Sequence, residues 1–301
     1  MSRSPFFYVG DKYKLMKQLN RLFPKNINRL IEPFCGGGSV FLNSKANYFI
    51  ANDNNEYVIK LHNFLLSYRG RRQEFFELLE NKIISANLSA SALNIMVDED
   101  LKKQYVKTYY AVYNKTQYNK LKEEFNQDKE NLLLLYILLI YGFNHMIRFN
   151  KSGVFNLPVG NVDYNQNVKE ALNNYFDFIE KNDIEFQCFD FEDFIKSLAF
   201  QENDLVYIDP PYLISSSEYN KDWGIAEEQR LLNCLDWLNE RGVKFALSNV
   251  LNHKGKTNEL LIEWAKKYKV TKIKSNYISY HDNTIKKSRE VLITNYEKKG
   301  V

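Results

Sequence analysis

The stretch Leu205-Val206-Tyr207-Ile208-Asp209-Pro210-Pro211-Tyr212 decides how the chain is read. Its first half is an apolar β-strand. Its second half lies just past the carboxyl end of that strand, where open α/β sheets place their ligands. The prolines fix the backbone torsion and remove two amide donors, which leaves a carboxylate and backbone carbonyls beside an aromatic ring. An amino group on a planar ring is the natural complement: Asp209 accepts one N–H, the Pro210 carbonyl accepts the other, and Tyr212 stacks on the ring. Holding a nitrogen between two acceptors favours the tetrahedral geometry that develops as its lone pair attacks an electrophile. The bland alternative is a proline turn after a strand, with Asp209 merely capping.

Outward from this stretch the chain alternates strands and helices at both ends. Arg29-Leu30-Ile31-Glu32-Pro33-Phe34 reads as a strand entering a glycine loop, and Tyr48-Phe49-Ile50-Ala51 as a second strand. A helix follows with apolar residues at Tyr57, Val58, Leu61 and Leu65, capped by Asp53 or Asn54. After Asp183, strands at 184–188, 205–208, 244–248, 270–273 and 290–294 alternate with helices at 191–197, 227–241 and 258–268, the last two strands forming an antiparallel pair. Such alternation predicts an α/β sheet sandwiched by helices. The middle differs. From Tyr68 to Tyr141 the pattern is helical, and Phe149-Asn150-Lys151-Ser152-Gly153-Val154-Phe155 places turn residues between two aromatics, a predicted hairpin. The middle is thus an insert carried by the sheet.

Two further features bear on chemistry. In Phe34-Cys35-Gly36-Gly37-Gly38-Ser39-Val40-Phe41, glycines between a strand and a helix let a ligand approach the backbone closely. The spacing is not the G-x-G-x-x-G of nicotinamide-binding folds. Asp53, at the end of the next strand, is placed to accept from ribose hydroxyls or to cap a helix. In Pro5-Phe6-Phe7-Tyr8-Val9-Gly10-Asp11-Lys12, aromatics, a glycine and a lysine precede the first helix, so that Lys12 could neutralise a ligand carboxylate and Tyr8 could pack on the ligand.

Composition bounds the rest. A chain of 301 residues with 45% hydrophobic residues can bury a proper core. Its 3 cysteines and 4 histidines supply neither a disulfide framework nor a metal-ligand cluster, so no metal is expected. The longest apolar run, Leu132 to Tyr141, is shorter than the roughly 20 residues that span a bilayer. With no secretory signal read at the start, a soluble, cytoplasmic protein is expected. Between Gly242 and Arg289 stand 11 Lys and Arg against 3 Asp and Glu. Such a stretch could meet phosphates or be an ordinary solvated face.

Taken in order, these motifs resemble the Dam-type adenine-specific DNA methyltransferases, including those of restriction–modification systems. The resemblance covers nearly the whole chain: the aromatic-Gly-x-Lys segment, Glu32 to Asn43, Phe143 to Pro158, Asp209 to Tyr212, and Glu290 to Asn295. It implies a Rossmann-like S-adenosylmethionine-dependent catalytic domain at 1–66 and 167–301, with an inserted target-recognition domain at 67–166 whose hairpin lies near 144–158. It further implies a catalytic role for Asp209, Pro210 and Tyr212. Cofactor contacts are implied at Tyr8, Lys12, Phe34, Gly36, Gly37, Gly38, Asp53, Asp190 and Asp209. Asn144, Arg148, Asn150, Lys151 and Asn156 would meet double-stranded DNA, with Arg148 reading a guanine or clamping a phosphate.

The implied reaction moves a methyl group from S-adenosylmethionine to the exocyclic amino group of an adenine flipped out of the duplex. A short GAT-containing site such as GATC is the leading target. A companion restriction endonuclease acting separately fits the restriction–modification relatives, and the lack of an exposed heptad or apolar stripe favours a monomer. Two rivals share these features: an RNA adenine methyltransferase, and a DNA-binding regulator that keeps the fold without catalysis. Asp rather than Asn at 209, together with the hairpin, favours DNA adenine.

Overall fold

The computed structural model describes residues 1–215, 223–274 and 289–297. Its elements run α1 (Met16–Leu22), β1 (Arg29–Glu32), β2 (Tyr48–Asn52), α2 (Glu56–Ser67), α3 (Arg72–Ser85), α4 (Glu99–Gln104), α5 (Tyr109–Gln127), α6 (Leu132–Tyr141), α7 (Gln166–Lys181), β3 (Ile184–Gln187), α8 (Phe191–Ser197), β4 (Leu205–Ile208), α9 (Ile225–Glu240), β5 (Lys244–His253), β6 (Lys256–Thr257), α10 (Glu259–Ala265), β7 (Lys269–Lys272) and β8 (Arg289–Thr294).

The strands form one sheet in the order β3-β2-β1-β4-β5-β8-β7, with β6 paired to β5. Pairs from β3 to β5 are parallel, whereas β8 is antiparallel to both β5 and β7. Alternate strand residues face opposite sides. Leu30, Phe49, Leu205, Tyr207 and Leu292 pack toward α1, α2, α6 and α7. Ile31, Ile50, Val206, Phe245 and Ile293 pack toward α8, α9 and α10. Helices therefore cover both faces, and the parallel strands read as apolar runs because neither face meets water.

The segment between α2 and α7 adds no strand to this sheet. Its α6 is buried along nearly its whole length and joins the same core as the strands. The predicted hairpin forms, pinned by a Phe149–Phe155 bridge rather than by long strands. It is docked on α5, where the Asn126 side chain both donates to and accepts from the Phe155 backbone at 3.0 and 2.7 Å. Phe149 stacks on Tyr57 of α2 at 4.5 Å.

Two expectations are corrected. The α2 cap is Asn55, whose side chain accepts from the Tyr57 N–H at 3.1 Å, because Asp53 is engaged elsewhere. β5 runs on to His253, since its continuation pairs with β6 and β8. The basic stretch of 242–289 lies partly outside the described residues. Within them, Lys266 pairs with Glu263 and Lys267 with Asp236, so part of its charge is balanced internally. Among the described residues, no helix is long and apolar enough to cross a membrane.

Candidate active site

The order of strands reverses between β1 and β4: β2 and β3 lie beyond one, β5 beyond the other. Loops leaving these neighbouring strands diverge, and the crevice between them is where doubly wound sheets bind ligands. A cavity of about 1280 Å³ opens there. It is bounded by the loop after β1, the loop after β4, the amino-terminal segment and the hairpin.

The loop after β1 turns on Gly36 and Gly38, both in the left-handed region at φ +47° and +83°. Gly37 is a glycine for lack of space, because a Cβ there would lie 2.8 Å from Tyr8 Cβ and 3.0 Å from Ser4 Oγ. The amino-terminal segment is thus latched onto the loop. Ser4 donates to the Gly37 carbonyl, and the Lys12 N–H donates to Ser39 Oγ at 3.1 Å. Asp53, at the end of β2, accepts from the Gly36 N–H at 2.9 Å and from the Asn55 N–H at 3.0 Å. Burial raises its carboxyl above the usual range, against the pull of those two bonds.

The loop after β4 carries Asp209. Its Oδ2 lies 2.8 Å from Lys12 Nζ and its Oδ1 accepts from the Tyr212 hydroxyl at 3.1 Å. Lys12 Nζ also stands 5.2 Å from the centre of the Tyr212 ring and donates to the Gly10 carbonyl at 3.2 Å. Lys12, expected to meet a ligand carboxylate, therefore meets Asp209 here, and it is only 3% exposed. Glu32, at the end of β1, is buried with Oε1 lacking a hydrogen-bond partner among the described residues. Burial and the nearby Asp209 push its carboxyl well above the usual range, partly offset by a backbone bond from Phe41. Lys12 thus balances Asp209.

The cavity brings together Tyr8, Lys12, Phe34, Gly36, Gly37, Asp53, Asp209, Pro210 and Tyr212 with Arg148, Asn150, Lys151 and Asn156 of the hairpin. Gly38, Asn144 and Asp190 are not among its lining residues. Gly38 faces inward, where a Cβ would sit 2.3 Å from Phe41 Cζ. Asn144 is exposed in a left-handed turn at φ +54°. Asp190 caps α8 through the Glu192 N–H at 3.0 Å and pairs with Arg230 at 2.7 Å. The Asn150 side-chain oxygen closes the hairpin turn onto the Ser152 and Val154 N–H groups, and that of Asn156 accepts from Arg148.

Sequence reasoning missed Ser4, Trp223 and the buried Glu32. Trp223 stands edge-on to Phe34 at 5.7 Å, its indole N–H fixed by Glu228 at 2.8 Å. Neither contact has a local signature.

A glycine loop and an acceptor-rich strand end on either side of a switch point define a doubly wound α/β protein with a cavity where such sheets bind their ligands. The chain belongs to the D12 class N6 adenine-specific DNA methyltransferase family, whose profile matches residues 8–279. It is 38% identical over 303 aligned residues to the type II methyltransferase M.FokI of Planomicrobium okeanokoites, covering 98% of this chain and 43% of that protein. It is 36% identical to the modification methylase StsI of Streptococcus sanguinis, covering 99% of this chain and again 43% of the relative. Against the DNA adenine methylase of Escherichia coli the identity is 28%, over 95% and 92% of the two chains. The chain thus spans less than half the length of the first two relatives.

Proposed function

We propose that this chain transfers a methyl group from S-adenosylmethionine to the exocyclic amino group of adenine in double-stranded DNA. One observation carries the reading: Asp209-Pro210-Pro211-Tyr212, the glycine loop and the Arg148–Asn156 hairpin line a single cavity at the switch point of the sheet. At about 1280 Å³ it exceeds the roughly 300–1,000 Å³ of ordinary small-molecule pockets, which leaves room for a cofactor and a base together.

The residues present fit the cofactor. Gly37 has no space for a side chain, so the loop backbone itself forms the wall, and Asp53 keeps lone pairs for ribose hydroxyls beyond its two backbone bonds. Tyr8, Phe34 and the Gly36–Gly37 backbone would hold it, and when bound it supplies an electrophilic methyl sulfonium. Asp209 and the Pro210 carbonyl accept the two N–H groups of the adenine, and Tyr212 stacks on its ring. Catalysis then comes from positioning and hydrogen bonding. Because the amino group is buried in a base pair, the adenine must swing out of the duplex to reach these acceptors.

In this reading residues 1–66 and 167–301 form the catalytic domain and 67–166 the target-recognition domain. The leading target is a short GAT-containing site such as GATC. Incubating the purified chain with unmethylated genomic DNA and S-adenosylmethionine, then sequencing for modified bases, tests all of this together. Methylated adenine in one short motif is the expected result. A folded, DNA-binding chain that leaves no mark would favour a regulator or an RNA substrate.

A further inference from the structure

Gly36 is gripped from two sides. Its N–H donates to Asp53, and its carbonyl lies 2.8 Å from Nε2 of His62 on α2. The other ring nitrogen, Nδ1, is 2.8 Å from the hydroxyl of Tyr175 on α7. Both side chains are fully buried. A carbonyl only accepts, so Nε2 carries the proton and Nδ1 accepts from the phenol. Burial agrees with this assignment, since it pushes the His62 imidazole down to about 4 and the Tyr175 phenol well above its ordinary value. The ring is boxed by aromatics, stacked on Phe186 at 4.6 Å and packed against Phe6 at 4.5 Å. The Cys35 thiol, 3.8 Å away, is the other group near the Gly36 carbonyl and a weak donor.

Geometry gives this chain of bonds a consequence. In a trans peptide the carbonyl of one residue and the N–H of the next point in opposite directions. Among the described residues no cis peptide is present. Drawing the Gly36 carbonyl toward His62 therefore turns the Gly37 N–H away from His62, in a residue that lines the cavity. We infer that His62, backed by Tyr175, is a positioning residue that sets the orientation of the Gly36–Gly37 peptide and so the ligand affinity of the glycine loop. The inference rests on reading that loop as the seat of S-adenosylmethionine.

The test compares His62→Phe, His62→Gln and Tyr175→Phe with the unaltered chain, using calorimetric titration with S-adenosylmethionine and steady-state methylation. Phenylalanine keeps the aromatic box and deletes the bond; glutamine restores a donor at the Nε2 position. His62→Phe is expected to weaken cofactor binding about tenfold or more, as for loss of a buried hydrogen bond. The KM for cofactor should rise in proportion, with kcat and DNA affinity nearly unchanged. His62→Gln should recover most of the loss, and Tyr175→Phe should show a smaller loss of the same kind. Equal cofactor affinity in His62→Phe and the unaltered chain overturns the inference, as does a joint loss of kcat, DNA affinity and cofactor affinity that glutamine does not restore. Should His62→Phe not fold, Tyr175→Phe decides, and unchanged affinity there overturns the inference. An unaltered, folded chain that binds no S-adenosylmethionine removes the functional reading itself, and this inference with it.

Discussion

Lys12 and Asp209 approach to 2.8 Å in a place where neither is well solvated, with side-chain exposures of 4% and 18%. Withdrawing both charges from water costs more than their attraction commonly returns, so such a pair is weak evidence for stability. It makes better sense as a device that joins the amino-terminal segment to the loop after β4. With Tyr212 on the other oxygen, Asp209 is fixed in direction before any ligand arrives.

Asp209→Ala is expected to reduce methyl transfer by at least about 10²–10³-fold, the range seen when one preorganised polar group is removed from an active site. DNA affinity should stay nearly constant, because the hairpin is untouched. Labelled methyl transfer and gel-shift titration on the same preparation check this. Retained turnover would remove Asp209 from its role.

Lys12→Met leaves a carboxylate in a poorly solvated site without its cation, which costs about 3–5 kcal/mol when a buried pair is broken from one side. Adding Asp209→Asn should restore much of the lost stability, since the stranded charge is then gone, while activity stays lost. Urea unfolding of the two single variants and the double variant measures the coupling. Additive losses would show that the pair does not interact as the 2.8 Å contact requires.

Glu32 gives a pH dependence with a defined sign. Burial raises its carboxyl well above the ordinary value of 4.5, so the folded protein keeps this proton at pH values where the unfolded chain has released it. Stability from this group is fully present below about 4.5 and falls as pH rises toward the folded value, by at most about 1.4 kcal/mol per pH unit. Glu32→Gln should flatten that decline and leave the variant more stable than the parent at neutral pH. The gap should close near pH 4. Urea midpoints from pH 4 to 8 read it directly, and parallel curves would sink the assignment.

What the sequence revealed depended on whether an inference needed only neighbours along the chain. The β4 run and its prolines were legible, because apolar continuity and a locked torsion are local properties. The hairpin between Phe149 and Phe155 was legible for the same reason. The Lys12–Asp209 contact was not, since it joins segments far apart in the chain. Gly38 and Asp190, which the resemblance marked as cofactor contacts, have neighbours that no local signal announces: a Cβ on Gly38 would meet Phe41, and Asp190 pairs with Arg230. His62 was within reach. It follows Val58 by one helical turn on the buried face of α2, where a histidine with both nitrogens engaged is a structural element and not a solvated base.

Arg148 is braced by Asn156. Its Nε donates to the Asn156 side-chain oxygen at 2.9 Å and Nη2 to the Asn156 carbonyl at 2.8 Å, across the neck of the hairpin. Of the five N–H donors of a guanidinium, this leaves others to meet a base edge or a phosphate. If Arg148 reads a guanine, Arg148→Ala should cost about 1–3 kcal/mol of discrimination at one base pair and little elsewhere. Asn156→Ala should produce a milder loss at that same position, because the guanidinium remains but loses its brace. If Arg148 instead clamps a phosphate, affinity should fall evenly across sequences and the salt dependence should drop by about one unit. Methylation rates on duplexes carrying every single-base change in the site, repeated at two salt concentrations, separate the outcomes. A position-specific loss in both variants fits only direct readout, since an evenly spread backbone contact carries no information about which base it lies beside.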